Sequence, residues 1–146
     1  MTYFDSAYLA KFYLAEPETT AVRAKAEGDG DVACSVIGQA ETLSVFHRKL
    51  REGALSPTEF AAVCDQFEAD CVAGLWQWLD LTGEVLDELK ARLRALPVTV
   101  FLRAADAIHL ATAGKHGCRE VYSNDRHLTT AAVHFGLRAI TVPAVP

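Results

Sequence analysis

Short apolar runs alternate with longer segments of helical periodicity along the whole of this chain. Strand-like runs of this kind lie at 2–4, 31–35, 78–81, 120–123 and 138–142. The segments between them carry apolar residues at helical spacing, and no hairpin signal joins one run to the next. Strands that are separated by helices pair in parallel and are covered on both faces. The pattern therefore predicts an α/β fold, a three-layer α/β/α sandwich around a mostly parallel sheet.

Start and stop signals divide the segments between the strands into helices. The strongest start is Ser56-Pro57-Thr58-Glu59, where Ser56 caps the helix, Pro57 fits its first turn and Glu59 completes a capping box. Helices are predicted from Ser6, from Pro17 to about Glu27, from Val36 to Gly53, from Pro57 to about Leu75, from Thr82 to Ala95, from about Arg103 to Lys115 and from Asp125 to Phe135. These helices supply the two outer layers of the sandwich.

Length and composition limit the chain to one domain. It has 146 residues, of which 51% are hydrophobic, so we predict a single core and a single domain over 1–146. No apolar run approaches the roughly 18–20 residues that cross a bilayer, and the amino end does not resemble a signal peptide. The four cysteines have no zinc-finger spacing and are expected to be free thiols. We therefore expect a cytoplasmic protein with no membrane partner.

The charge balance is acidic, with 14 basic and 19 acidic residues and a net charge of −5. Such a balance argues against a strongly basic, non-specific nucleic-acid coat. If Asp5, Glu41, Asp106 and Asp125 converge on a bound cation, however, they account for four of the negative charges. The rest of the chain is then near neutral, so a nucleic-acid substrate is not excluded.

Two of these carboxylates follow predicted strands directly. Asp5 ends the first strand-like run, and Asp125 comes soon after the run at 120–123. Open parallel sheets bind ligands beyond the carboxyl ends of their strands, which favours a site there. An aspartate at a strand-to-helix turn is also a common helix cap, and position alone does not separate the two interpretations.

The other two carboxylates interrupt apolar helical stretches. Glu41 has Ile37 one turn before it and Val45 one turn after it, and Asp106 lies among small and apolar residues. A buried carboxylate is costly unless it is paired or binds a metal. The alternatives are a favourable charge in the first turn of a helix and, for Asp106, an ion pair with Arg103.

Four carboxylates together suit metal-assisted hydrolysis. Hard divalent cations such as Mg²⁺ or Mn²⁺ take oxygen ligands. A bound cation lowers the pKa of water and neutralises charge on a phosphodiester transition state. Without a cation, the four carboxylates would repel one another and some would take up protons. We therefore predict a metal-dependent nuclease site.

Four short stretches, in order over essentially the whole chain, resemble the acidic motifs of PIN-domain proteins, and most closely those of VapC-type toxins. The stretches are Tyr3-Phe4-Asp5-Ser6-Ala7, Ile37-Gly38-Gln39-Ala40-Glu41, Arg103-Ala104-Ala105-Asp106-Ala107-Ile108-His109-Leu110-Ala111-Thr112-Ala113 and Tyr122-Ser123-Asn124-Asp125-Arg126-His127-Leu128. The third stretch is the most specific of the four.

The resemblance implies a five-stranded parallel sheet and an endoribonuclease that depends on Mg²⁺ or Mn²⁺. It also implies a homodimer and inhibition by a cognate antitoxin protein. By the same resemblance, Asp5, Glu41 and Asp106 hold the metal, and Asp125 is a fourth ligand. Ser6 and Ser123 are expected to support these acids by hydrogen bonding.

Other interpretations stay open at the level of the sequence. A non-catalytic interaction module would keep the fold and lack nuclease activity, whereas the intact set of four acids favours an enzyme. An aspartyl phosphotransferase with Asp5 as nucleophile is disfavoured, because Ala7 stands where a second aspartate is wanted. The site chemistry does not choose RNA over DNA. Arg48 and Arg126 are either phosphate contacts or solvated side chains. His109 lies one turn from Asp106 and either contacts the site or, as we expect, serves helix packing.

Overall fold

The strands and helices of the computed structural model, which describes residues 1–142, alternate along the chain as the sequence pattern predicts. The strands are β1 (Thr2–Phe4), β2 (Val32–Ser35), β3 (Trp76–Leu79), β4 (Glu120–Tyr122) and β5 (Arg138–Ile140). The helices are α1 (Ser6–Lys11), α2 (Thr19–Asp29), α3 (Gly38–Arg51), α4 (Pro57–Ala73), α5 (Gly83–Ala95), α6 (Ala104–Lys115) and α7 (Arg126–Ala131), and a 3₁₀ turn (Ala132–Phe135) follows α7.

The five strands form one parallel sheet in the order β3-β2-β1-β4-β5. In the central strand β1, Tyr3 is paired with Ala33 on one side and with Val121 on the other. Because all strands run in the same direction, their carboxyl ends share one edge of the sheet. Asp5 and Asp125, which follow β1 and β4, are therefore neighbours at that edge.

Alternation along β1 divides the core into two layers. Tyr3 faces a cluster that includes residues of α5, α6 and α7, whereas Phe4 faces a cluster built largely from α1, α2, α3 and α4. Both side chains are fully buried. Successive strand residues point to opposite faces, so a sheet covered by helices on both faces needs strands that are apolar throughout. The predicted three-layer α/β/α sandwich and its five-stranded sheet are confirmed.

Several predicted boundaries differ from those of the structure. The third strand begins at Trp76 and ends at Leu79, two residues before the predicted run. The second helix starts at Thr19, two residues after Pro17. The capping box at Ser56 is present as predicted. Within residues 1–142, no helix has both the length and the apolar character that a bilayer crossing requires.

Candidate active site

Asp5 and Asp125 each cap the helix that follows them. The Asp5 Oδ1 atom accepts a hydrogen bond from the backbone amide of Tyr8 at 2.6 Å. The Asp125 Oδ1 atom accepts from the amides of His127 and Leu128, at 2.8 and 3.0 Å. In each residue the cap uses one carboxylate oxygen and leaves the second oxygen for another partner. The helix-cap and site interpretations are therefore compatible for both residues.

Ser123 joins the two aspartates. Its hydroxyl donates to Asp5 Oδ2 and accepts from the backbone amide of Asp125 at 3.0 Å. Ser123 is fully buried, and Asp5 is only 4% exposed. Burial raises the pKa of Asp5 to about 6, and the hydrogen bond from Ser123 opposes the rise. Asp5 is thus a buried carboxylate that gains from a nearby positive charge.

Glu41 is held by a buried histidine from a different helix. The His109 Nε2 atom lies 2.6 Å from Glu41 Oε1, and His109 Nδ1 lies 2.7 Å from the hydroxyl oxygen of Tyr3. That hydroxyl also accepts from the backbone amide of Ser35 at 3.0 Å. Burial lowers the pKa of His109. The interactions with Cys34 and Glu41 together outweigh burial and raise the pKa to about 10. The chain of contacts ties Glu41 on α3 to strands β1 and β2.

Arg103 lies between the remaining two carboxylates. Its Nη2 atom donates to Asp125 Oδ2 at 3.1 Å, and its Nε atom is 3.5 Å from Asp106 Oδ2. The Asp106 Oδ2 atom is buried and has no hydrogen-bond partner. Burial raises the pKa of Asp106, as does the neighbouring charge of Asp125, and Arg103 opposes both. The guanidinium therefore supplies part of the positive charge that these two acids need.

The four carboxylates line one concavity of about 300 Å³ at the carboxyl edge of the sheet. Its walls are formed by Asp5, Ser6, Ala7, Glu41, Arg48, Arg103, Ala105, Asp106, His109 and Asp125. The four acids are separated widely in sequence, and the fold brings them to the same opening. Glu41, Asp106 and Asp125 are accessible from this opening, since their side chains are 31%, 18% and 28% exposed, respectively.

The donor set of this concavity fits a hard divalent cation in chemistry. Carboxylate oxygens are the ligands that Mg²⁺ and Mn²⁺ prefer. The buried Asp106 Oδ2 atom, which lies 3.5 Å from Arg103 Nε but has no hydrogen-bond partner, is an oxygen that ligation would satisfy. The spacing of these side chains fits a single bound ion less well than their chemistry does. Among the residues that the structure describes, no three His, Cys, Asp or Glu side chains lie close enough together to hold one ion as they stand.

Most of the chain matches one known protein family. Residues 2–133 match the model of the PIN domain. This chain belongs to the PIN-domain family. No match was found among curated protein sequences. The resemblance that the four acidic motifs indicated is therefore confirmed at the level of the family.

Solved structures agree with the PIN fold. The Mycobacterium tuberculosis toxin VapC20, described as cleaving the sarcin-ricin loop, is similar with a TM-score of 0.68 and 16% identity, over 90% of this chain and 95% of that chain. A chain of FitAB bound to an IR36 DNA fragment is similar with a TM-score of 0.69 and 17% identity, over 97% of this chain and 94% of that chain. At such identities the likeness concerns the fold.

The supporting residues of this PIN domain differ in part from those expected. Ser123 contacts Asp5 directly, whereas no hydrogen bond within residues 1–142 joins the Ser6 hydroxyl to any of the four acids; Ser6 only lines the concavity. Arg48 also lines the concavity, and Arg126 is exposed.

His109 makes the site contact that its sequence position allows, although helix packing is the role that the sequence favours. It is 1% exposed, yet it binds Glu41 and Tyr3 as well as packing in its helix. The available signal was a histidine in an otherwise apolar helical stretch, since a buried imidazole needs polar partners. The identity of those partners could not be read from the stretch itself.

Proposed function

We propose that this chain is a metal-dependent endoribonuclease and acts as the toxin of a toxin–antitoxin pair. The observation that carries the proposal is the convergence of Asp5, Glu41, Asp106 and Asp125 on one concavity of a PIN domain. Arg103 and His109 contact three of these acids, whereas the buried Asp5 forms no ion pair within residues 1–142. A bound cation would offset the charge that these contacts leave uncompensated.

Asp5, Glu41, Asp106 and Asp125 would hold the ion, which we propose to be Mg²⁺ or Mn²⁺. When bound, a divalent ion supplies activated water and neutralises charge on the phosphodiester. The protein contributes the orientation of its own oxygens: Ser123 and the amide of Tyr8 fix Asp5.

Cationic side chains at the opening suit an anionic substrate. Arg48 lines the concavity and is exposed, so its guanidinium is free to meet a phosphate oxygen. Glu52, the C-cap residue that follows α3, lies 3.7 Å from Arg48 in an exposed ion pair, which is a weak interaction.

The proposal extends to partners. VapC20 is described as a toxin, and the motifs of this chain resemble those of VapC-type toxins. We therefore expect inhibition by a cognate antitoxin and assembly as a homodimer in the cytoplasm.

A second candidate is a non-catalytic PIN-fold interaction module. One observation favours it: no three acidic or other ligand side chains in the described part of the chain are close enough to hold an ion. In that case Arg103, which contacts Asp106 and Asp125, would neutralise the acids permanently.

Cleavage of a mixed cellular RNA pool by antitoxin-free protein separates the two candidates. We expect cutting with Mg²⁺ or Mn²⁺, none with EDTA, and recovery when the metal is restored. Asp5→Asn should abolish cutting, because it keeps the shape and the helix cap but removes the charge. The same variant should fold with equal or higher stability, since it relieves repulsion among the acids.

Asp65→Asn is the matched control, because Asp65 is an exposed aspartate on α4 and does not line the concavity. It should cut at the wild-type rate. Cutting that EDTA does not affect, or that Asp5→Asn retains, would contradict the proposed mechanism. A protein that is folded and cuts no RNA under any of these conditions would favour the interaction module.

A further inference from the structure

Phe101 is the one exposed aromatic side chain among the seven phenylalanines, two tryptophans and four tyrosines, all of which lie within residues 1–142. It is 59% exposed, whereas the other twelve rings are buried or half-buried. A single exposed apolar residue is ordinary. The other twelve aromatic rings pack against neighbours, whereas the Phe101 ring is exposed. Because Phe101 is also close in sequence to Arg103, which lines the concavity, its exposure calls for an explanation.

The position of Phe101 connects it to the candidate active site on two sides. Along the chain it precedes Arg103 by two residues, and Arg103 contacts Asp106 and Asp125. Across space its ring packs edge-to-face against that of His127, with the centroids 4.7 Å apart and the planes at 67°. His127 in turn donates its backbone amide to Asp125. Phe101 and His127 are therefore linked to Arg103 and Asp125, two residues that line the concavity.

Contact with His127 fixes the orientation of the Phe101 ring without covering it. Edge-to-face packing at this distance is a favourable aromatic arrangement, and more than half of Phe101 remains in contact with solvent. The Arg103 side chain, two residues further along the chain, is 62% exposed. An open aromatic face next to an accessible guanidinium is the combination that binds single-stranded nucleic acid, in which a base stacks on the ring and a phosphate meets the cation.

We propose that Phe101, braced by His127, is a stacking site for one unpaired base of the RNA substrate, next to the bond that is cut. The inference rests on the proposed nuclease function and adds a side chain that contacts the substrate of that site. A base in a duplex is already stacked on both faces, so the ring can meet only a base in a single strand or an unpaired loop. The stacking site selects for an available base and not for a particular sequence, because every base has a π-face.

Binding of a fluorescent oligoribonucleotide, measured by anisotropy in the presence of Mg²⁺, tests the proposal. The full chain carries Asp106→Asn to prevent turnover, and the same oligonucleotide is used single-stranded and annealed to its complement. Phe101→Ala should raise the Kd for the single strand by about 5- to 150-fold, the range expected for loss of one base–aromatic stack. Phe101→Leu should weaken binding of the single strand by a similar factor. Phe101→Trp should bind it with about the affinity of the chain that retains Phe101. The Kd for the duplex should change by less than about twofold.

Val133→Ala is the matched control, since Val133 is also apolar and is 70% exposed but does not line the concavity. It should leave both dissociation constants unchanged. Thermal denaturation verifies that each variant is folded, and light scattering after gel filtration reports its oligomeric state.

An unchanged Kd for Phe101→Ala, or an equal loss for duplex and single strand, would overturn the stacking site. The stacking site would also be overturned if Phe101→Ala changed the oligomeric state and Phe101→Leu did not. The Phe101 side chain would then contact another protein chain. The nuclease proposal is judged separately, from RNA cutting by the wild-type chain. If binding depends on Phe101 but the wild-type chain cuts no RNA, only the nuclease proposal is contradicted. If the wild-type chain cuts RNA but binding does not depend on Phe101, only the stacking site is contradicted.

Discussion

At the scale of single residues, the Tyr3 hydroxyl determines how Glu41 is held. It lies 2.7 Å from His109 Nδ1 and accepts from the Ser35 amide at 3.0 Å, and His109 contacts Glu41 through its other nitrogen. The Glu41 carboxylate accepts, so Nε2 of His109 carries a proton, and the Tyr3 hydroxyl can partner Nδ1 whether or not that atom is protonated. Fixing a ligand side chain through a second layer of hydrogen bonds is a general means of tuning metal sites.

Tyr3→Phe should therefore lower the free energy of unfolding by about 1–3 kcal/mol, because it leaves buried polar groups on Ser35 and His109 without their partner. Urea denaturation measures the change. Tyr122→Phe is the control: its hydroxyl makes one long hydrogen bond, 3.4 Å, to Glu120, so we expect a loss below about 1 kcal/mol. Equal losses in the two variants would contradict the special role of the Tyr3 hydroxyl.

At the scale of secondary-structure elements, the sequence predicts what depends on local pattern. Asp5 and Asp125 could be placed at the sheet edge because the strands before them are recognisable as apolar runs. The third strand was placed two residues late because Gln77 interrupts its apolar run. As β3 lies at the edge of the sheet, Gln77 is tolerated there and its side-chain amide donates to Asp31.

The contact between His109 and Glu41 could not be predicted in the same way. The two residues are 68 positions apart and belong to different helices. Their meeting depends on how α3 and α6 pack on the sheet, which periodicity within either helix does not report. Local patterns therefore indicate the acids that line the concavity better than the residues that contact them.

Two glycines at helix starts provide a test of how closely α3 packs on the sheet. Gly38 opens α3, and a Cβ atom there would clash with Cys34 Sγ and lie 3.3 Å from Trp78 Cζ3. Gly83 opens α5 and has no atom within 4 Å of the same position. Gly38→Ala should destabilise the protein by about 1–3 kcal/mol through overpacking, whereas Gly83→Ala should be neutral or stabilise it by up to about 1 kcal/mol.

Thermal or urea denaturation of the two variants measures this difference. Because Glu41 lies in the first turn of α3, the Gly38 variant should also cut RNA more slowly in the assay described above. If both alanine variants proved equally stable, the close contact between α3 and β2 would be wrong.

At the scale of the whole molecule, the concavity gathers four of the 19 acidic residues at one opening. Arg103 contacts two of these acids and His109 contacts Glu41, whereas Asp5 forms no ion pair within residues 1–142. A cation that binds the folded state alone stabilises that state by mass action.

Mn²⁺ at about 100 times its dissociation constant should therefore add about 2.7 kcal/mol of stability and raise Tm by about 5–10 °C. Differential scanning calorimetry without RNA measures this effect independently of activity. Asp106→Asn should reduce the shift, and Asp65→Asn should retain it. A Tm that Mn²⁺ leaves unchanged in the wild-type chain would contradict a metal site in this concavity.

The order of the strands also has a consequence for protein synthesis. Strand β1 is synthesised before its neighbour β4 and before the serine that contacts Asp5. A ribosome-bound chain that stops before residue 123 lacks the hydroxyl that donates to Asp5 Oδ2, and it also lacks Asp125 on the wall of the concavity. The four acids can therefore come together only after synthesis has passed residue 125, and the proposed activity would begin only then.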